Sequence, residues 1–187
     1  MKTLSPRSST AGLLAHDGLF ITVLLAVTLS CFGFAARAQP PKLQHKLEQT
    51  LRLAALDGRI ERVRSSLDQG VAPDAVDPDG RTALMMAAYN GHTETVKLLL
   101  DRGAKIDEVD LTGRTAMMYA ASGPFASTVK LLIARGADPN IRDTGEGFTA
   151  LMFAAAEVQV EVIKALLSHG ADVAIKDNDG DRALDFA

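Results

Sequence analysis

At 187 residues the chain has room for one domain or two small ones, and 47% apolar with 23% charged residues is a foldable composition that excludes disorder throughout. Aromatics are only 5% and Trp is absent, so the core must be assembled from small and aliphatic side chains, which favours helices. A formal charge of −3, with no Lys/Arg run and no basic stripe interleaved with aromatics, argues against nucleic-acid binding.

The segment 1–38 differs in kind from the rest. Lys2 and Arg7 precede an apolar stretch, Leu19 to Phe34, and Ala36-Arg37-Ala38 follows it. A positive start, a short apolar run and small residues at the positions a signal peptidase reads predict a signal peptide over 1–38, cleaved between Ala38 and Gln39. The run is shorter than the roughly 20 apolar residues that span a bilayer. An uncleaved anchor, or lipidation at Cys31, is the alternative. Cleavage removes Lys2, Arg7, Arg37 and Asp17, which leaves 17 Lys and Arg against 22 Asp and Glu, a formal charge of −5. It also removes the only cysteine, so packing alone would hold the exported protein together, in a periplasm or outside the cell.

After a lead-in over 39–46, a weaker helical unit that caps the N-terminal end of the series is expected over 47–78. Leu43, Leu47, Leu51, Ala54 and Ala55 share one helix face, Gly58 marks a turn, and Val63 and Leu67 lie on a second helix. Three full units over 79–111, 112–145 and 146–178 and a partial one over 179–187 follow from two glycine series. Gly80, Gly113, Gly147 and Gly180 form one series and Gly70, Gly103, Gly136 and Gly170 the other, both with a period of roughly 33 residues. In each full unit Thr82, Thr115 or Thr149 is placed to cap a first helix. The pairs Ala87/Ala88, Ala120/Ala121 and Ala154/Ala155 let neighbouring helices approach closely. A turn at Gly91, Gly123 or Val158 leads to a second helix with apolar residues three and four apart, such as Val96, Leu99 and Leu100. That helix ends at Gly103, Gly136 or Gly170. The turns at Gly123-Pro124-Phe125 and Val158 are expected to be less regular than the one at Gly91. Half a unit at the end has no second helix to bury it, so Arg182 to Ala187 should be frayed or form a short lid.

The segments GRTALMMAAYNGHTETVKLLLDRGA, GRTAMMYAASGPFASTVKLLIARGA and GFTALMFAAAEVQVEVIKALLSHGA resemble ankyrin repeats, whose core reads T-P-L-H-x-A in a unit of this length. The resemblance covers residues 43 to 187 and implies an all-α ankyrin-repeat solenoid. The family's Pro is Ala83, Ala116 and Ala150 here. Its His is Met85, Met118 and Met152, which implies apolar packing where the family has a polar bridge. Small exported bacterial proteins of this family are the similar group, and some are associated with catalase and peroxide resistance.

Nothing in the chain reads as a catalytic constellation. After cleavage there is no Cys; His92 occupies a turn position, His169 lies in the last turn of a helix, and no GxSxG, HExxH or P-loop occurs. No cofactor is expected. Asp177-Asn178-Asp179-Gly180-Asp181 alternates oxygen ligands like the start of a calcium loop, but Arg182 stands where such a loop needs Gly. Met85/Met86, Met117/Met118 and Met152 could tempt a copper reading, yet thioethers at helical core positions pack. No metal site is expected.

The period does suggest a surface. Leu53, Met86, Tyr119, Phe153 and Phe186 recur on the first helices with that same period, and the resemblance places their register on the concave side. Tyr89 adds to this apolar ladder, which either binds a partner or packs between adjacent first helices. Around it the hairpin tips supply Arg81 and Arg114 with Asp110, Asp143, Glu146 and further acids, a rim suited to a basic partner. The expectation is therefore a monomeric module that holds another protein in its groove. An immunity or inhibitor protein, and a metal-binding or structural envelope component, are the alternatives.

Overall fold

In the computed structural model residues 40–186 are described, and the compact unit begins at Pro41. The expected signal segment, its cleavage site and Cys31 lie outside the described residues, as does Ala187. Helices come in pairs: α1 (Pro41–Leu56) with α2 (Ile60–Asp68), α3 (Ala83–Tyr89) with α4 (Thr93–Asp101), α5 (Ala116–Ala121) with α6 (Ala126–Ala134), and α7 (Ala150–Ala156) with α8 (Val160–Leu167). A single 3-10 turn, η1 (Ala183–Phe186), closes the series. The first members pack in the row α1, α3, α5, α7, η1 and the second members in the row α2, α4, α6, α8, which makes the expected all-helical solenoid of two layers. No strand occurs among the described residues, only an isolated bridge between Lys176 and Arg182.

Three local devices start and space the first helices. Thr82, Thr115 and Thr149 Oγ1 accept the Met85, Met118 and Met152 backbone N–H at 3.3, 3.4 and 3.4 Å. In two units the methionine reciprocates, its Sδ accepting the Thr82 N–H at 3.4 Å or the Thr149 N–H at 3.5 Å. This corrects the expectation of apolar packing alone, because a thioether is a weak acceptor that can close a capping box. The alanine pairs are buried, as are Leu99, Leu132 and Leu166 on the second helices. Each such leucine contributes about 1.5–3 kcal/mol by leaving water. α1 is the exception. It has Gln49 where the other units have the capping threonine, so nothing stops it short of Pro41, and it runs back through the expected lead-in.

The ends of the second helices turn as expected, with Gly103, Gly136 and Gly170 left-handed at φ 87°, 92° and 90°. Of the two inner turns expected to be irregular, one is and one is not. Val158 adopts φ 55°, the same left-handed conformation as Gly91 at 67°. Its turn keeps the regular pattern, with the Gln159 N–H on the Ala154 carbonyl at 2.8 Å, as the His92 N–H is on Ala87 at 2.9 Å. The geometry there is regular and the strain sits in Val158. Pro124 cannot take a positive φ, and in its unit the Phe125 N–H bonds to the Gly123 carbonyl at 2.8 Å instead.

At the C-terminal end the lid reading holds for residues 182–186. η1 packs on α7, Ala183 is buried, and Phe186 meets Phe148 edge to face with centroids 5.1 Å apart. Arg182 stands in the threonine cap position, and its backbone N–H bonds to Asp185 Oδ2 at 2.7 Å. Leu184, in register with the buried Leu84, Met117 and Leu151, is 74% exposed, since among the described residues no second helix packs over it.

Candidate partner-binding face

The hairpin tips flank the row of first helices, and each is closed by an aspartate. Asp77, Asp110, Asp143 and Asp177 recur once per unit, in step with the glycines. Asp77 Oδ1 accepts the Asp79 and Arg81 N–H groups, Asp110 Oδ1 those of Thr112 and Arg114, Asp143 Oδ1 those of Gly147 and Phe148, and Asp177 Oδ1 those of Asp179 and Asp181, all between 2.8 and 3.0 Å. Successive tips are joined by single backbone bonds, from Leu111 N–H to the Asp79 carbonyl, Thr144 to Thr112 and Asn178 to Glu146. Short side chains that bond the backbone a few positions further on are what such turns select.

This corrects the acidic rim. Asp110 and Asp143 are buried, and their carboxylates hold the tips; Glu146 is exposed. Asp177 is likewise engaged with backbone, and among the described residues no cluster of three His, Cys, Asp or Glu is placed to hold a metal. His92 Nε2 sits 3.0 Å from the Leu56 carbonyl, which also accepts Asn90 Nδ2 at 2.8 Å, and His169 Nδ1 lies 2.8 Å from the Ala165 carbonyl. Both histidines secure helix ends.

The apolar ladder divides in two. Met86, Tyr119, Phe153 and Phe186 are half-buried against the core. Tyr119 donates its hydroxyl to Asp110 Oδ2 at 2.5 Å, and Phe153 lies edge to face with Phe148 at 5.4 Å while the Arg114 guanidinium covers its ring at 4.8 Å. Arg114 Nε is also 3.5 Å from Asp143 Oδ2, close enough for charge attraction though not aligned as a hydrogen bond. Burial raises the Tyr119 phenol, and the Asp110 carboxylate raises it further. At Asp110 burial works upward, but hydrogen bonds from Tyr119, Thr112 and the Arg114 backbone outweigh it and hold the carboxyl below its ordinary range. By contrast Leu53 and Tyr89 are each 53% exposed, with Tyr89 lying edge to face against Tyr119 at 6.1 Å.

Those two exposed residues border a cleft of about 570 Å³ between α1, the first hairpin tip and α3. Of the residues singled out in the sequence, Leu53, Met86, Tyr89 and Arg81 line it; Tyr119, Phe153, Arg114, Asp110, Asp143 and Glu146 do not. Arg81 is already engaged, since it pairs with both Asp77 and Asp79 at 2.8 Å. Arg81 is raised first by its hydrogen bond to Asp77, against the pull of burial; at Asp77 burial works upward, and bonds from Arg81 more than offset it and lower the carboxyl.

The sequence reading missed Arg52, which also lines the cleft and is only 6% exposed. Its register was the available signal: Arg52 stands one period before Met85, at the position the full units give to a buried methionine.

The family model described as "Ankyrin repeats (3 copies)" matches residues 51–143 and 123–187. The chain belongs to the ankyrin-repeat family, and such repeats make it a protein–protein interaction module; proteins of this kind are typically binding modules without catalysis. No curated protein matches the chain.

Proposed function

We propose that this module is exported and holds its partner protein along the row of first helices, with the cleft at Leu53, Met86 and Tyr89 as the anchor point. The observation that carries the reading is the cleft itself: about 570 Å³ of space with exposed Leu53 and Tyr89 at its edge. Pockets of this size with apolar walls and a few polar groups are where binding energy concentrates. Export is supported by the apolar run Leu19 to Phe34 with Ala36-Arg37-Ala38, and by the compact unit beginning at Pro41, just past the cleavage point. No helix among the described residues is long and apolar enough to cross a membrane. A periplasmic role in peroxide defence rests on the resemblance to small exported ankyrin proteins.

The test is affinity capture from an envelope extract with the parent and a Leu53→Asp, Tyr89→Asp double variant. These residues are chosen because Tyr119 and Phe153 are engaged with Asp110, Arg114 and Phe148, where an added charge would disturb the fold. A single protein held by the parent and lost by the folded variant supports the reading; equal retention by both would refute it. N-terminal sequencing of the protein recovered from the producing cell should begin at Gln39. A start at Met1 would contradict export by cleavage.

A further inference from the structure

We propose that the cleft between α1 and the first hairpin receives a carboxylate side chain of the partner protein, paired with the guanidinium of Arg52. This deepens the proposed function and rests on it. Arg52 is more than nine-tenths buried, lines the cleft, and forms no ion pair among the described residues. Its one hydrogen bond runs from Nη1 to the Ala75 carbonyl at 3.3 Å. A guanidinium carries five N–H donors and stays charged, so a buried one with a single long bond to a neutral acceptor is under-compensated. Buried charges are normally paired. The other full units place methionine at this register, so packing alone does not require an arginine there.

Charge and shape select the occupant. Of the two guanidinium groups lining the cleft, Arg81 is taken up by Asp77 and Asp79, which leaves Arg52 as the one without a carboxylate partner among the described residues. One positive charge matches one carboxylate. A dianionic phosphate would exceed it, and with Asp77 also in the lining the second negative charge would find no partner. The planar fork of arginine suits a bidentate carboxylate, while Leu53, Leu56 and Met86 offer apolar surface for the stem and neighbouring residues of a peptide. The inferred occupant is an Asp or Glu flanked by apolar residues. This narrows the expectation of a basic partner, because the acids assigned to attract one include Asp110 and Asp143, which are buried in the tips.

The experiment is an NMR titration of the purified protein with two capped peptides, Ac-Leu-Glu-Ala-Leu-NH2 and its Gln counterpart, and with inorganic phosphate, read at the Arg52 Nε–H and the Met86 methyl. The Glu peptide should shift both signals saturably and bind at least roughly tenfold more tightly than the Gln peptide, with Arg52→Gln abolishing the difference. Equal responses to the two peptides, no response at Arg52, or stronger binding of phosphate would each overturn the inference. The comparison of peptides on the unsubstituted protein stands even if Arg52→Gln fails to fold. Capture of a partner through Leu53 and Tyr89, as in the preceding test, can succeed while this titration fails, so the two readings are separable.

Discussion

The Tyr119 hydroxyl and the Asp110 carboxylate form a 2.5 Å hydrogen bond that ties helix α5 to the hairpin tip preceding it. The same carboxylate closes that tip through Thr112 and Arg114. One half-buried phenol thus couples the first-helix row to the turns that border it, which explains why Tyr119 serves the frame more than the open surface.

Replacing Tyr119 with Phe should lower stability by about 1.5 kcal/mol, the scale of a hydrogen bond to a charged group, as read by urea denaturation. The folded phenol is raised above its ordinary value of 10.0, so its contribution is intact below pH 10 and declines above it, as the unfolded chain gives up a proton that the folded chain keeps. Asp110 is depressed below 3.8, so its contribution is present above that pH and is lost on acidification through the folded value. Tyr119→Phe should flatten the loss of stability above pH 10. An unchanged slope would remove the phenol from the account.

Val158→Gly should stabilise the protein by about 1 kcal/mol. A β-branched residue at φ 55° carries strain of roughly 1–3 kcal/mol, part of which is offset by the greater backbone freedom glycine has when unfolded. The side chain is exposed, so little packing is lost. Thermal melts of the pair would settle it, and a lower midpoint for the glycine variant would contradict the strain.

Phe186→Ala should release the lid. With the contact to Phe148 gone, the amide of Asp185, bonded to the Arg182 carbonyl at 2.8 Å, should exchange at least roughly tenfold faster while Leu132 at the centre is unaffected. Exchange at Asp185 equal to the parent's would show that η1 is held by something other than the aromatic pair.

Much of this fold is legible in the sequence because it is periodic. The threonine caps, the alanine pairs, Leu99, Leu132 and Leu166, and the glycines ending the second helices all repeat, and each repetition reports the same local requirement. What was not legible breaks the period or depends on side-chain direction. Val158 keeps a regular turn at the expense of strain, which no residue type announces. Met85 and Met152 return a sulfur to their caps. Asp110 and Asp143 face inward, although composition alone puts them with the exposed acids. Arg52 interrupts the methionine register inside the weaker capping unit, and its significance comes from burial and the cleft beside it.

The central claim is that the partner lies against the first-helix face, and photocrosslinking in the producing cell tests it most directly. A photoreactive residue would be placed at Leu53, at Tyr89, and as controls at Lys97 and Lys130, which are exposed on the second helices. The account predicts one discrete adduct from Leu53 and Tyr89 and none from the two lysines. An adduct from the lysine positions alone would move the binding surface to the opposite layer and contradict the account.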